Sequence, residues 1–123
     1  MRALVIDDSR TIRRIMCNIM RELQYEVAEA GNGREALDHL QLHGAVDVAF
    51  VDWNMPVMDG LTFVRSVRAN PAFAAMPIIM VTTETEMDRV SQALTEGVNE
   101  YVMKPFDRVA IEEKLQMVGM GCI

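Results

Sequence analysis

Three aspartates, a threonine and a lysine stand where four apolar runs end. Ala3-Leu4-Val5-Ile6 leads into Asp7-Asp8, Val48-Ala49-Phe50-Val51 into Asp52, Ile78-Ile79-Met80-Val81 into Thr82, and Tyr101-Val102-Met103 into Lys104. If these runs are neighbouring parallel strands, one rim of the sheet gathers three carboxylates, a hydroxyl and an ammonium. Such crowding is unfavourable: a pair of like charges at 4 Å costs on the order of 4 kcal/mol at an effective dielectric of about 20. Lys104 offsets only part of this. A divalent cation would offset the rest, and hard oxygen ligands favour Mg²⁺, which is usually held by one or two carboxylates plus a phosphate. With that ion in place a carboxylate can attack phosphorus and form an aspartyl-phosphate. The metal would neutralise the attacking oxygen and the incoming group. Lys104 would neutralise another phosphoryl oxygen, and the Thr82 hydroxyl would donate to a third. Catalysis then consists mainly of positioning and charge stabilisation.

Positioning these groups calls for a scaffold of alternating strands and helices, and the chain reads that way five times over. The first strand covers Leu4 to Ile6. Ser9 caps a helix whose apolar stripe, Ile12, Ile15, Met16, Ile19, Met20 and Leu23, follows helical spacing. Tyr25 to Ala30 is the second strand. Asn32, with Glu35 three residues on, opens a second helix as in a capping box. Ala36, Leu37 and Leu40 give its inner side, and Gly44 stops it. Val48 to Val51 is the third strand, and residues 54 to 60 form a Pro- and Gly-punctuated loop. A helix from about Leu61 to Ala69 ends at Asn70-Pro71, and Pro77 opens the fourth strand. The fourth helix is expected over roughly Glu86 to Glu96, stopping at Gly97. A short fifth strand ends at Lys104-Pro105. Asp107 caps the last helix, with Ile111, Leu115 and Val118 inward, and Gly119 to Ile123 is expected to fray.

Strand composition hints at strand position. The first, third and fourth strands are continuously apolar, as expected where helices cover both faces of a parallel sheet. The second alternates and the fifth is brief, which suits edges. The fold class is therefore α/β, a doubly wound five-stranded parallel sheet. The flavodoxin-like order 2-1-3-4-5, with right-handed crossovers, fits; it is taken from known folds of this class rather than read from residues. Ligands of such sheets bind beyond the carboxyl ends of the strands where the winding reverses, here at Asp7, Asp8 and Asp52.

Composition narrows the function further. The 123 residues suit one domain, residues 1–123, and the chain is half apolar, so a core can form without metal or disulfide support. A net charge of -6 makes a poor non-specific binder of nucleic acid or of anionic membranes. No apolar stretch is long enough to span a bilayer, and the start turns acidic too early for a signal peptide, so cytoplasmic residence is expected. Cys17 and Cys122 show no metal spacing or disulfide framework, and read as a core thiol and a tail thiol. Among the eleven methionines, Met16 and Met20 sit at core spacing.

Taken in order, Asp7-Asp8, Asp52-Trp53-Asn54-Met55-Pro56-Val57-Met58-Asp59-Gly60, Val81-Thr82 and Tyr101-Val102-Met103-Lys104-Pro105-Phe106 resemble the response-regulator receiver domain. The resemblance covers essentially the whole chain and is nearest the single-domain chemotaxis type. It implies a signalling domain that takes a phosphoryl group from a sensor histidine kinase and loses it again, rather than an enzyme acting on an external substrate. Asp52 would be the phosphoacceptor. Asp8, Asp52 and the Asn54 backbone carbonyl would bind Mg²⁺ directly, and Asp7 would act through a metal-bound water. Lys104 would contact the phosphoryl group. Thr82 would move toward it while Tyr101 turns inward, the two forming the switch. Asn54 and Glu84 would tune dephosphorylation toward a short lifetime. The fourth helix, fifth strand and fifth helix would form the output face for a partner protein, and Lys104-Pro105 would be cis. A receiver cut from a larger regulator with an output domain, or a phosphorelay intermediate, fits the same residues.

One position departs from the family pattern. Thr83 stands where a small residue is usual, and its branched side chain would narrow access to Asp52. His39 and His43 read as residues of the second helix's solvent side, and Trp53 as a half-buried packing residue. Rival readings fare worse. A flavin or nucleotide binder would want a glycine- or hydroxyl-rich phosphate loop after the first strand, where two aspartates stand. A magnesium phosphatase would want an acid two residues after its nucleophile, where Asn54 stands. A receiver never phosphorylated would not need the full chemical set.

Overall fold

A computed structural model describes residues 1–83 and 88–119. Along them run β1 (Arg2–Ile6), α1 (Arg10–Glu22), β2 (Glu26–Ala30), α2 (Gly33–His43), β3 (Val48–Asp52), α3 (Gly60–Ala69), β4 (Ile78–Thr82), α4 (Val90–Glu96), β5 (Glu100–Met103) and α5 (Arg108–Met117). The strands form one parallel sheet in the order β2-β1-β3-β4-β5, as expected. Every position of β3 and β4 is buried, whereas β2 and β5 at the edges are partly exposed.

Alternation along each strand divides the core in two. Leu4, Ile6, Ala49, Val51, Ile78 and Met80 point to one face, where Ala36 and Leu40 of α2, Phe63 and Val67 of α3, and Ala93 of α4 cover them. Ala3, Val5, Val48, Phe50, Ile79 and Val81 point to the other, against Met16 and Met20 of α1 and Ile111 and Leu115 of α5. Burying a phenylalanine or leucine side chain is worth about 1.5–3 kcal/mol, so fully buried Phe50, Phe63 and Leu40 fix which helix lies on which face.

Register brings the polar ends into line. Ile6 lies opposite Val51, so Asp7 comes level with Asp52. Asp52 lies opposite Val81 and Thr82 opposite Met103, which sets Lys104 beside the same rim. The Lys104 amide donates to the Thr82 carbonyl at 2.7 Å, and the Lys104-Pro105 bond is cis.

Side-chain caps start four helices. Ser9 accepts from the Ile12 amide (3.3 Å) and Asp107 from that of Ala110 (2.9 Å). Asn32 accepts from Glu35 (2.9 Å), while the Glu35 carboxylate reaches back past the cap to the Gly31 amide (3.1 Å). Asp59 accepts from Thr62 at 2.8 Å, so α3 begins at Gly60, inside the stretch that reads as loop.

Four expectations need amendment. The fourth helix begins at Val90 rather than near Glu86, after a tighter turn at Asp88 and Arg89; Glu86 itself lies outside the described residues. Trp53 is buried (3 % exposed) rather than half-buried, because the chain folds back over it into α3. His39 is partly buried against the sheet edge, and His43 is exposed. Glu84, Cys122 and most of the tail expected to fray lie outside the described residues. No described helix is long and apolar enough to cross a membrane.

Candidate functional site

The rim beyond β1, β3 and β5 assembles the acids and the lysine. Asp7 and Asp52 are buried, at 3 % and 6 % exposure, and Asp8 is exposed at the mouth. One carboxylate oxygen from each of Asp7, Asp8 and Asp52 lies within 4.8 Å of the others. Lys104 Nζ reaches between two of them, 3.0 Å from Asp52 Oδ1 and 3.2 Å from Asp7 Oδ2.

Hydrogen bonds orient each carboxylate. Asp7 Oδ1 accepts the Ser9 amide at 2.8 Å, which turns its other oxygen to Lys104. Asp52 Oδ1 accepts both the Trp53 amide (2.9 Å) and Lys104 Nζ. Asp52 Oδ2 makes no hydrogen bond among the described residues and is the oxygen with a lone pair to offer. Arg13 buttresses the cluster from behind: one guanidinium nitrogen donates to the Asp7 carbonyl at 2.7 Å and another pairs with Glu29 at 3.2 Å.

Burial, and next the charge of Asp7, push the Asp52 carboxyl up to about 6, against the opposing pull of Lys104 and the Trp53 amide. For Lys104, burial alone would lower the ammonium's proton affinity, but the bonds and charges of Asp52 and Asp7 outweigh it and raise it. The upward shift at Asp52 reports burial first and, second, the charge of Asp7, which one ammonium does not fully offset. An all-oxygen set of three carboxylates with excess charge fits a hard divalent cation of the Mg²⁺ kind.

That imbalance has a measurable consequence. Folding raises the proton affinity of Asp52, so in chelator the folded state gains stability as pH falls from above 6 toward 4 and loses it as pH rises through the same window. A rise from the ordinary carboxylate range to about 6 corresponds to about 2–3 kcal/mol. Asp52→Asn should therefore raise the melting temperature at pH 8 by roughly 5–10 °C, with the gain fading near pH 4. Equal melting curves at pH 8 would contradict it.

The remaining predicted residues surround the cluster. Thr82 is fully buried on β4, and its hydroxyl donates to the Thr83 carbonyl at 3.3 Å rather than to a carboxylate. Tyr101 on β5 is partly buried against the α2–α3–α4 core, with Lys114 Nζ 4.5 Å from its ring centre. The Asn54 side chain is exposed, two residues past Asp52. The Arg89 guanidinium lies 4.8 Å from the Trp53 ring centre, linking the start of α4 to the residue after Asp52.

Two supports were not foreseen in the sequence. Arg13 acts across an α1–β2 contact that no local spacing reveals. Gly60 lies so close to β3 that a Cβ there would stand 2.2 Å from the Asp52 carbonyl oxygen; the Asp-Gly pair that marks it reads equally well as a turn.

Comparison with known proteins agrees with this geometry. The family of the response regulator receiver domain matches residues 3–116. The chain is 47 % identical over 119 residues to chemotaxis protein CheY1 of Helicobacter pylori, covering 96 % of each. Among solved structures, chemotaxis response regulator CheY4 of Vibrio cholerae superposes with a TM-score of 0.87 at 37 % identity, over 95 % of this chain and 97 % of that one. The receiver domain of a Pseudomonas aeruginosa sensor histidine kinase, solved with a magnesium ion coordinated in its active site cleft, gives 0.86 at 25 % identity over 96 % and 97 %.

Proposed function

The chain belongs to the response regulator receiver family and is a phosphorylatable signalling domain, and we propose that Asp52 is its phosphoacceptor and that it serves chemotaxis or motility. The chemotaxis assignment rests on the likeness to the two chemotaxis regulators. Residues 1–123 act as a single cytoplasmic receiver domain.

The observation that carries this reading is the state of Asp52: buried at the rim, flanked by Asp7 and Lys104, with Oδ2 accepting no hydrogen bond among the described residues. That oxygen attacks phosphorus while the bond to the donor, a phosphohistidine on a sensor kinase, breaks. Lys104 would take up charge on one phosphoryl oxygen, and Thr82, turned from the Thr83 carbonyl, would donate to another. Asp7, Asp8, Asp52 and the Asn54 carbonyl would hold Mg²⁺, which when bound supplies positive charge to the reacting oxygens. Asn54 and Glu84 set how readily water removes the group. Tyr101 follows Thr82 and changes the α4–β5–α5 surface, which a downstream protein reads. The domain promotes its own phosphorylation and dephosphorylation and turns over no external substrate.

Phosphotransfer from candidate kinases, with and without Mg²⁺, tests the reading. Label should reach the wild type only with the ion and should not reach Asp52→Asn. Label that persists on the variant, or arrives equally in excess chelator, would overturn it. A second expectation concerns Thr83, partly buried beside the switch threonine. Thr83→Ala should speed labelling by acetyl phosphate several-fold, about 2- to 5-fold for relief of crowding worth roughly 0.5–1 kcal/mol. An unchanged rate would show that Thr83 does not limit access.

A further inference from the structure

The chain's two histidines stand one helical turn apart on α2, far from the acid cluster in the fold. They line a groove of about 160 Å³ with Arg2, Glu26, Val27 and Val46. Arg2 and Glu26 are the first residues of β1 and β2, so this groove opens at the amino rim of the sheet, opposite Asp7 and Asp52. Residues four apart share one helix face, and the two imidazole rings lie 4.6 Å apart between centres, tilted by 40°. Neither ring makes a hydrogen bond or ion pair among the described residues.

We propose that His39 and His43 form a binding site for a borderline-soft divalent cation of the zinc, copper or nickel class, separate from the hard-cation site at Asp52. The ring separation suits it. An imidazole bound at about 2.1 Å puts its ring centre about 3.2 Å from the metal, so two ligands at roughly 90–109° have centres about 4.5–5.2 Å apart. Two histidines at this spacing are a recurrent helical half-site for such ions. Nitrogen donors prefer these metals to Mg²⁺, which keeps the two sites chemically distinct. Water completes the coordination from the open side of the groove. The bound ion would clamp the last two turns of α2.

The test is calorimetric titration of the full chain with Zn²⁺ and Cu²⁺ in excess Mg²⁺, in a Cys122→Ser background that removes the tail thiol. Cu²⁺ electron paramagnetic resonance reports the ligating nitrogens. One ion should bind per chain with a two-nitrogen signature, and either His39→Gln or His43→Gln should weaken binding about tenfold or more. Asp52→Asn should leave it unchanged. Absence of binding to the parent, binding by both histidine variants as tight as the parent's, or loss of binding in Asp52→Asn would each overturn the proposal.

Discussion

Replacing Lys104 with methionine should slow phosphoryl uptake at Asp52 about 100- to 1,000-fold, the usual cost of removing one preorganised charge stabiliser from a reacting centre. Methionine keeps the length of the side chain and some of its packing while deleting the ammonium that lies 3.0 Å from Asp52 and 3.2 Å from Asp7. Without it two buried carboxylates face each other uncompensated. Burial and Asp7 already hold the Asp52 carboxyl at about 6 against the pull of Lys104, so in the metal-free protein its loss pushes that value higher still. The same change makes the cluster more negative overall, so cation binding should hold or tighten while chemistry fails. Initial labelling rates with a small phosphodonor at saturating Mg²⁺, together with Mg²⁺ titration by Trp53 fluorescence, separate the two effects. A labelling rate within a few-fold of wild type would show that the ammonium balances charge in the resting protein but plays no part in the reaction.

Gly60→Ala should destabilise the fold by about 3 kcal/mol or more, the upper range for overpacking in a closed site, and lower the melting temperature by roughly 10 °C or more. The added carbon would stand 2.2 Å from the Asp52 carbonyl oxygen and 3.3 Å from Trp53 Cα, and both neighbours are backbone. No side chain can swing aside, so α3 must lift from the end of β3. The Gly60 amide, which donates to the Trp53 carbonyl at 3.0 Å, would lose that bond. Because the displaced segment follows Asp52 directly, Mg²⁺ affinity should fall with stability. Gly31→Ala is the control: its added carbon would meet nothing closer than the Glu35 carboxylate at 3.5 Å. Equal thermal unfolding of the two variants would refute the close-approach argument.

The parts of this molecule that could be read from sequence are those encoded over short spans. Val48 to Val51 reads as a strand because its apolar run matches burial on both faces, and Met16 and Met20 read as core because helical spacing puts them on one stripe; all are buried. The acids could be placed because each closes a strand, and parallel register then makes strand ends coincide. What escaped depends on distant partners. Arg68 looks like any surface arginine of an amphipathic helix, yet its guanidinium donates to the carbonyls of Gly97 (2.9 Å), Ala74 (3.1 Å) and Met76 (2.7 Å) and to Asn99 Oδ1 (2.9 Å). It ties α3 to the entrances of β4 and β5, and no periodicity signals that. The start of α4 escaped for a different reason: its N-cap position, Arg89, makes no side-chain capping bond.

Lys104 holds the acceptor with its side chain and the neighbouring strand with its main chain. The ammonium grips Asp52, and the amide of the same residue grips the Thr82 carbonyl at 2.7 Å. Lys104 therefore joins the Asp52 carboxylate to the main chain of β4 through one residue at the sheet's rim, outside the hydrophobic interior.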